Sequence, residues 1–171
     1  SQVEQLLADD TYEVTEFIGS GGIACVYKVK QRNKPNIYAL KLLRDEYIEN
    51  ERFMAIFRRE ATHLRDLAYP NIVRYFKFVE REDCAYILTE FVDGNALSAF
   101  TKQAKQTKEP LPVAATVRIM VQIARAIHYL HREGFVHRDV KASNVLIQRG
   151  DGKAFLTDLG IVSDKDNGDG V

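Results

Sequence analysis

The sequence contains the stretch His137-Arg138-Asp139-Val140-Lys141-Ala142-Ser143-Asn144, and the triplet Asp158-Leu159-Gly160 begins fourteen residues after Asn144. Together the two segments place a proton acceptor, a lysine and two oxygen-bearing side chains in one short region. Carboxylate, amide and ammonium groups at such close spacing are suited to binding a cation or a phosphate. The interpretation of the remaining sequence starts from this region.

The residues between Asn144 and Asp158 predict a β-hairpin. Two short apolar strands are expected around the turn Arg149-Gly150-Asp151-Gly152. Position 151 is midway between 144 and 158, so a hairpin centred there brings Asn144 and Asp158 side by side at its open end. An amide oxygen and a carboxylate so placed suit Mg²⁺, which accepts a few oxygen ligands beside water and phosphate.

Composition limits the possible classes of protein. The 171 residues are 46% hydrophobic, which is enough for one domain core or two small lobes. Twenty-four basic residues balance 24 acidic ones, so no general attraction to nucleic acid or to an anionic membrane is expected. The apolar runs are too short to span a bilayer, and Ser1–Asp10 does not resemble a signal peptide. Two isolated cysteines, Cys25 and Cys84, fit a reducing compartment, which favours the cytoplasm.

Apolar periodicity predicts a strand-rich first part and a helix-led second part, which join near Val92–Gly94. The long second helix carries an apolar stripe that includes Val117 and Met120, and Gly134 is expected to end it. Arg58-Arg59, on the first helix, is expected on a solvated face. The predicted strands are Tyr12–Ile18, Cys25–Gln31, Ile37–Leu43, Ile72–Val79 and Ala85–Val92, and the predicted helices are Glu51–Ala68, Ala96–Lys105 and Val113–Glu133.

The first part contains a second group of candidate residues. Glycines at 19, 21 and 22 lie between two predicted strands, where they form either an ordinary hairpin turn or a loop whose backbone amides approach a phosphate. Strand alternation places Ala39 and Lys41 on one face, so the lysine needs an anionic partner. Glu60 interrupts the apolar stripe of the first helix, where it either reaches water or pairs with Lys41.

Five motifs of this sequence, in their order along the chain, resemble those of the catalytic domain of eukaryotic-type protein kinases. The resemblance is strongest to the bacterial serine/threonine branch of that family. The resemblance covers Tyr12 to about Val162, and it departs from the family pattern at Ala24, in place of a third glycine, and at Leu159, in place of phenylalanine. The motifs are Ile18-Gly19-x-Gly21-x-x-Ala24-x-Val26, Tyr38-Ala39-Leu40-Lys41, Glu60, His137-Arg138-Asp139 with Asn144, and Asp158-Leu159-Gly160.

The resemblance implies an α+β, protein-kinase-like bilobal fold with ATP between the lobes. The small lobe is expected to be a five-stranded antiparallel sheet with one main helix, and the helical lobe to be incomplete. The implied domains are an N-terminal extension at 1–11, the small lobe at 12–92 and a partial large lobe at 93–171. The implied hinge lies at about 90–94, the catalytic loop at 137–144, and the start of the activation segment at 158–171.

The resemblance also implies ATP- and Mg²⁺-dependent transfer of the γ-phosphate to serine or threonine hydroxyls of a protein substrate. Asp139 positions or accepts the hydroxyl proton, and Lys141 neutralises the γ-phosphate. Lys41, held by Glu60, orients the α- and β-phosphates, while Asn144 and Asp158 bind Mg²⁺. The residues expected to contact the nucleotide are Ile18, Gly19, Ser20, Gly21, Gly22, Ala24, Val26, Ala39, Lys41, Thr89, Glu90, Val92 and Leu146.

The sequence stops at Val171, before the motif and helices that complete the family's activation segment and peptide-docking surface. Two interpretations therefore stay open. Either the chain is a fragment of an active serine/threonine kinase, or it is a non-catalytic nucleotide-binding or interaction module. Without those later helices, Val113–Glu133 is expected to expose apolar surface that a full lobe would bury, which favours the second interpretation for this chain. The protein substrate, the activating signal and the oligomeric state are not specified by the sequence.

Overall fold

A computed structural model of the chain describes residues 3, 11–158 and 162–163. These residues form two compact units. The first unit contains the residues up to Asp66 together with Arg74–Phe91, and the second contains Leu67–Val73 and the residues from Val92 onward. No sequence pattern predicts that Leu67–Val73 joins the second unit.

The first unit is an antiparallel five-stranded sheet with one long helix, as predicted. The strand order is β1-β2-β3-β5-β4. The elements are β1 (Tyr12–Ser20), β2 (Ala24–Gln31), β3 (Ile37–Leu43), helix α1 (Glu51–Arg65), β4 (Tyr75–Glu80) and β5 (Ala85–Glu90). Helix α1 begins after Asn50, whose side-chain oxygen accepts a hydrogen bond from the Arg52 N–H at 3.2 Å.

The sheet curls so that a side chain of one edge strand reaches a ring on the other edge strand. The Lys77 ammonium of β4 lies 4.8 Å from the ring centroid of Tyr12 in β1 and 5.7 Å from that of Tyr86 in β5. This curl encloses an apolar cluster that includes Leu40 and Leu42 of β3. Because side chains alternate along a strand, Lys41 points to the opposite face of the sheet.

Helix α1 buries the predicted face but ends three residues earlier than predicted. Phe57 and Leu64 are buried, whereas the helix stops at Arg65 instead of Ala68. Leu67, which continues the apolar stripe of α1, is buried in the second unit. The apolar pattern therefore extends past the end of the helix.

The predicted strands at Ile72–Val79 and Ala85–Val92 are also shorter than predicted. The first begins only at Tyr75, because Ile72 pairs with Leu156 and the Val73 N–H donates to the Leu156 carbonyl at 3.1 Å. The second ends at Glu90, and Val92 instead packs with Val73 and Phe155. In both cases apolar residues that fit a strand pattern belong to the core of the second unit.

The second unit combines two helices with short strands. Its elements are β6 (Gly94–Ala96), α2 (Leu97–Thr107), α3 (Val113–Arg132), β7 (Phe135–Val136), β8 (Val145–Gln148), β9 (Ala154–Leu156) and β10 (Val162–Ser163). Strands β6, β8 and β9 form one antiparallel sheet, and β7 pairs with β10. A single 3-10 turn, Ala142–Asn144, leads directly into β8.

Helix α3 has two apolar faces, and only one of them is buried. Ile123, Ala126 and Leu130 are buried, whereas Val117 and Met120 on the predicted stripe are 54% and 60% exposed. The prediction that this helix exposes apolar surface is therefore confirmed. Within the described part of the chain, no helix is both long and apolar enough to cross a membrane.

The β8–β9 hairpin forms, but its register differs by one residue from the predicted one. Val145 pairs with Leu156, and the Thr157 N–H donates to the Asn144 carbonyl at 3.0 Å. The four-residue turn Arg149–Gly152 is centred between positions 150 and 151, so Asn144 lies opposite Thr157. Asp158 comes one residue later, where its φ of 51° takes the backbone out of the strand.

Gly94 is essential for the close approach of β6 to β8. A Cβ atom at this position would collide with the Ile147 carbonyl, whose carbon would be only 2.8 Å away. We expect Gly94→Ala to lower the free energy of unfolding by roughly 1–3 kcal/mol, the usual cost of overpacking. Urea unfolding followed by circular dichroism measures this change.

The matched control is Gly22→Ala, because a Cβ at Gly22 would meet no atom within 4 Å. Its effect should stay within about 0.5 kcal/mol. Equal effects of the two substitutions would contradict the close approach at Gly94.

Candidate active site

Lys41 and Glu60 form a partly buried ion pair in the first unit. The Lys41 Nζ atom lies 2.6 Å from Glu60 Oε1 and 2.9 Å from Oε2, and the side chains are only 21% and 13% exposed. Lys41 stands in β3 opposite Val26 of β2 and Ile87 of β5. Of the two alternatives for Glu60, the structure shows the pair with Lys41. Such a pair fixes the ammonium in one position on the sheet face.

Packing against neighbouring atoms does not require glycine at two positions of the glycine loop. Strand β1 runs through Ser20, two residues beyond the predicted end, and the Gly21 N–H donates to the Ala24 carbonyl at 2.8 Å. A Cβ at Gly19 or Gly22 would meet no protein atom within 4 Å. The loop backbone is thus open to a close-approaching group, which fits a phosphate.

Arg58 ties the helix that carries Glu60 to the sheet. Its Nε and Nη2 atoms donate to Glu80 of β4 at 2.8 and 2.5 Å, and its Nη1 atom donates to Glu51 at 2.6 Å. The hydrogen bond from Arg58 lowers the pKa of the Glu80 carboxyl. The Arg58 side chain is 40% exposed and Arg59 is exposed, so the prediction of a solvated face is confirmed. The contact with Glu80 was not predicted. Helical spacing could not find this contact, because Glu80 lies 22 residues away on a strand.

The residues expected around the base fall into both units. In the first, Val26 and Ala39 are half-buried on neighbouring strands, and Thr89 stands opposite Ala39. The Glu90 N–H already donates to the Arg74 carbonyl at 2.8 Å. In the second unit, the half-buried Leu146 packs against the cluster that contains Val92.

Asp139, Lys141 and Asn144 form a hydrogen-bonded group in the second unit. The Lys141 Nζ lies 2.7 Å from Asp139 Oδ2, and Asn144 Nδ2 donates to the same oxygen at 3.0 Å and to the Asp139 carbonyl at 2.9 Å. The hydrogen bond from Lys141, followed by that from Asn144, lowers the pKa of Asp139. Asp139 is therefore an ionised, half-exposed carboxylate that can accept a hydrogen bond from a hydroxyl group.

His137 supports this loop from inside the unit. It is 2% exposed, and its Nδ1 accepts a hydrogen bond from the Asp139 N–H at 3.2 Å. Burial lowers the pKa of its imidazole. The neighbouring Arg138 has a φ of 58°, in the left-handed region that most side chains avoid. A neutral, buried ring thus holds a backbone segment with an unusual conformation.

Asn144 and Asp158 are the two residues expected at a magnesium site in which water and phosphate supply most ligands. Both amide contacts of Asn144 run from its nitrogen to Asp139, so the atom that would face a cation is the oxygen. Among the described residues no group of three or more His, Cys, Asp or Glu could bind a metal by itself. Mg²⁺ does not need such a cage, because it keeps several waters. The motif residues Leu159 and Gly160 lie outside the described part.

Gln122 is a structural residue of this region that the sequence does not reveal. Its Oε1 accepts hydrogen bonds from Asn71 Nδ2 and from the Ala154 N–H, both at 3.0 Å. Asn71 also donates to the Ala154 carbonyl at 2.8 Å, and its own carbonyl accepts from the Leu156 N–H at 2.7 Å. These bonds fix β9, the strand that leads to Asp158. On an amphipathic helix, Gln122 looks like a surface residue.

Comparisons with known proteins identify the family. The protein kinase domain family matches residues 12–169. A probable serine/threonine-protein kinase of Clostridium perfringens is 34% identical over 156 residues, which cover 91% of this chain and 22% of the relative. The serine/threonine-protein kinase PrkC of Bacillus subtilis is 36% identical over 152 residues, 89% of this chain and 23% of the relative.

A solved structure agrees with this match. The crystal structure of the PknI kinase domain of Mycobacterium tuberculosis aligns with a TM-score of 0.72 and 30% identity, covering 90% of this chain and 61% of that one. The chain belongs to the protein kinase domain family and has its fold, as predicted. It spans less than a quarter of the length of the two curated relatives described above.

The Lys141 contact should be measurable as a pKa change at Asp139. Lys141→Met removes the largest cause of the lowered value, so the pKa of the Asp139 carboxyl should rise toward its ordinary range. An NMR titration of the side-chain carboxyl carbons measures this. Lys102→Met, an exposed lysine on α2, is the control and should leave Asp139 unchanged. An unchanged Asp139 in Lys141→Met would contradict the contact.

Burial of neutral His137 should make the fold sensitive to acid. Its pKa is lowered in the folded chain, so below about pH 6.5 the unfolded chain binds a proton that the folded chain does not. Stability should therefore fall between about pH 7.5 and about pH 5.5. In His137→Asn, whose amide oxygen can replace Nδ1 as acceptor, the fall should be smaller.

Urea unfolding at several pH values tests this expectation. His128→Asn is the control, because His128 is exposed on α3 and should leave the pH dependence as in the wild type. If the free energy of unfolding depends on pH equally in the wild type and in His137→Asn, the buried imidazole does not contribute to the acid sensitivity of the fold.

Proposed function

We propose that the protein containing this chain is an ATP- and Mg²⁺-dependent protein kinase that phosphorylates serine or threonine hydroxyls of protein substrates. The observation that carries this proposal is the group formed by Asp139, Lys141 and Asn144, in which one ionised carboxylate is bonded to a cation and an amide. A second support is the Lys41–Glu60 pair, which holds an ammonium on a sheet face. Phosphoryl transfer needs mainly positioning and charge neutralisation, and these groups supply both.

In this proposal, residues of both units bind one ATP molecule. Lys41 binds the α- and β-phosphate oxygens, and the open backbone at Gly19 and Gly22 covers the phosphates. The Glu90 carbonyl and the backbone of Val92 hydrogen-bond the base, because the Glu90 N–H is already used. The remaining nucleotide contacts are assigned to Ile18, Ser20, Gly21, Ala24, Val26, Ala39, Thr89 and Leu146.

The transfer step follows from the second-unit group. Asp139 accepts a hydrogen bond from the substrate hydroxyl and orients its oxygen toward the γ-phosphorus. Lys141, 2.7 Å from Asp139, neutralises charge on the transferred phosphoryl group. Asn144 and Asp158 would hold Mg²⁺, which supplies neutralisation of the phosphate charge when it is bound. Because Asp139 is ionised, it can position the substrate hydroxyl or accept its proton.

The cellular setting is proposed from composition and thiols. Cys25 and Cys84 are both free, which suits a reducing cytoplasm. Balanced charge gives no reason to expect a nucleic-acid partner. A second candidate function is a non-catalytic nucleotide-binding or interaction module, and the exposed apolar stripe at Val117 and Met120 is the feature that favours it.

A phosphotransfer assay separates the two functions. The full-length protein and residues 1–171 are incubated side by side with radiolabelled ATP, Mg²⁺ and a generic basic protein. We expect the full-length protein to transfer phosphate, and Lys41→Met and Asp158→Asn to reduce the rate by roughly 100-fold or more. Lys34→Met, an exposed turn lysine, is the matched control and should retain activity.

The kinase proposal is wrong if the full-length protein transfers no phosphate, or if both site variants transfer as fast as the wild type. ATP binding without transfer by the full-length protein would support the non-catalytic module.

A further inference from the structure

The arginine that follows β3 is hydrogen-bonded to the glycine loop. Arg44 Nη2 donates to the Gly21 carbonyl at 2.9 Å, and the Arg44 N–H donates to the Ile23 carbonyl, also at 2.9 Å. Within the described part of the chain, no other side chain is hydrogen-bonded to the backbone of residues 19–23. One residue therefore holds two carbonyls of the loop that joins β1 to β2.

The backbone of Arg44 is itself fixed. Its carbonyl accepts a hydrogen bond from the Tyr47 N–H at 2.9 Å, which closes the 3-10 turn Asp45–Tyr47. The preceding residue, Leu43, is buried and pairs with Ala24 of β2. The Arg44 side chain thus starts from a rigid point, which is the condition for one side chain to position a neighbouring loop.

The contacts of the guanidinium differ in weight. Its Nη1 atom lies 3.8 Å from Glu46 Oε1, and both side chains reach solvent, so this ion pair contributes little. Its Nε atom is buried and has no hydrogen-bond partner among the described residues. A buried N–H without an acceptor is unfavourable, so the bond from Nη2 to Gly21 is the contact that stabilises this position of the side chain.

The bond to the Gly21 carbonyl also orients the next N–H group. In a trans peptide the carbonyl and the following N–H point in opposite directions, and none of the described peptide bonds is cis. With the Gly21 carbonyl turned toward Arg44, the Gly22 N–H points away from the guanidinium. No group in the described residues accepts a hydrogen bond from this N–H, and a Cβ at Gly22 would meet no atom within 4 Å. The Gly22 N–H is therefore open to a ligand oxygen.

We propose that Arg44 is a positioning residue for phosphate binding, which holds the glycine loop so that the Gly22 N–H faces a phosphate of the nucleotide. This inference rests on the proposed function, because it takes ATP as the ligand of the loop. Arg44 acts through the Gly21 peptide, which its charge-assisted hydrogen bond keeps from rotating. A loop that is fixed before the ligand arrives loses less conformational freedom on binding, which raises the affinity.

Hydrogen exchange of the full-length protein without nucleotide, followed by mass spectrometry, tests the contact. The informative peptide covers residues 18–25, in which the Gly21 N–H donates to the Ala24 carbonyl. We expect Arg44→Met to speed exchange in this peptide by about 3-fold or more, because the turn opens more often without its outer hydrogen bond. Arg44→Lys should restore most of the protection, since an ammonium also donates to a carbonyl.

The matched control is Arg32→Met, because Arg32 is exposed just after β2, at the end of that strand far from the glycine loop. It should leave exchange in residues 18–25 as in the wild type.

Nucleotide binding tests the consequence. Calorimetric titrations of the same full-length variants use a non-hydrolysable ATP analogue with Mg²⁺, and separately adenosine. We expect Arg44→Met to weaken binding of the analogue by roughly 10-fold and to leave adenosine within about 2-fold, because only the analogue carries phosphates for the loop to bind. Arg44→Lys and Arg32→Met should bind both ligands about as tightly as the wild type.

Three results would overturn the role of Arg44. They are unchanged loop exchange in Arg44→Met, unchanged affinity of that variant for the analogue, and an equal loss of affinity for the analogue and for adenosine. Weaker binding of the analogue with unchanged exchange would mean that the charge of Arg44 acts directly and not through the loop. If Arg44→Met does not fold, the same measurements on Arg44→Gln decide, since this shorter side chain also lacks the guanidinium. A wild type that binds neither ligand contradicts the proposed function itself.

Discussion

The ion pair between Lys41 and Glu60 is the constraint on which the first unit depends. It joins a strand to a helix across 19 residues of chain, and the helix is held a second time by Arg58 at Glu80. An ammonium with little access to water is stable only where its partner is fixed. The Lys41–Glu60 contact therefore depends on three features of the unit. These are the alternation of side chains along β3, the curl of the sheet and the capped start of α1. The apolar cluster on the other face leaves the Lys41 face for polar chemistry.

In the second unit, the main constraint is on Asp139. Its carboxylate stays ionised while the loop around it has an unusual backbone conformation at Arg138. Asp139 receives hydrogen bonds from Lys141 and Asn144, and its backbone N–H is bound by His137. The loop is thus fixed by a charged, an amide and a neutral aromatic group. Behind it, Gln122 and Asn71 align β9. Polar contacts, which are directional, decide positions here more than apolar packing does.

The sequence predicts the parts of this molecule that follow a period or a motif. Strand alternation correctly placed Lys41, and helical spacing correctly identified the buried face with Phe57 and Leu64. Spacing failed where two segments far apart in sequence meet. Ile72 and Val73 fit a strand pattern, but the local sequence does not predict that their backbone pairs with Leu156.

The same limit explains the other errors. Gln122 occupies a position that helical periodicity assigns to the surface, yet it makes long-range hydrogen bonds. The hairpin was predicted from its turn, and a turn centred half a residue earlier moves every pair by one position. Two-residue periodicity gives the face of a strand but not its partner. The roles proposed for the site residues follow from motifs, which a sequence displays directly.

The hydrogen bonds of Asn144 explain why this position holds an amide and not an acid. A carboxylate would be the stronger ligand for a hard cation taken alone. Here the nitrogen of the side chain must donate to Asp139 at 3.0 Å, and an aspartate has no hydrogen to give. Two negative charges at that distance would repel each other, and one of them would take up a proton. The amide at position 144 therefore donates a hydrogen bond that lets Asp139 keep its charge.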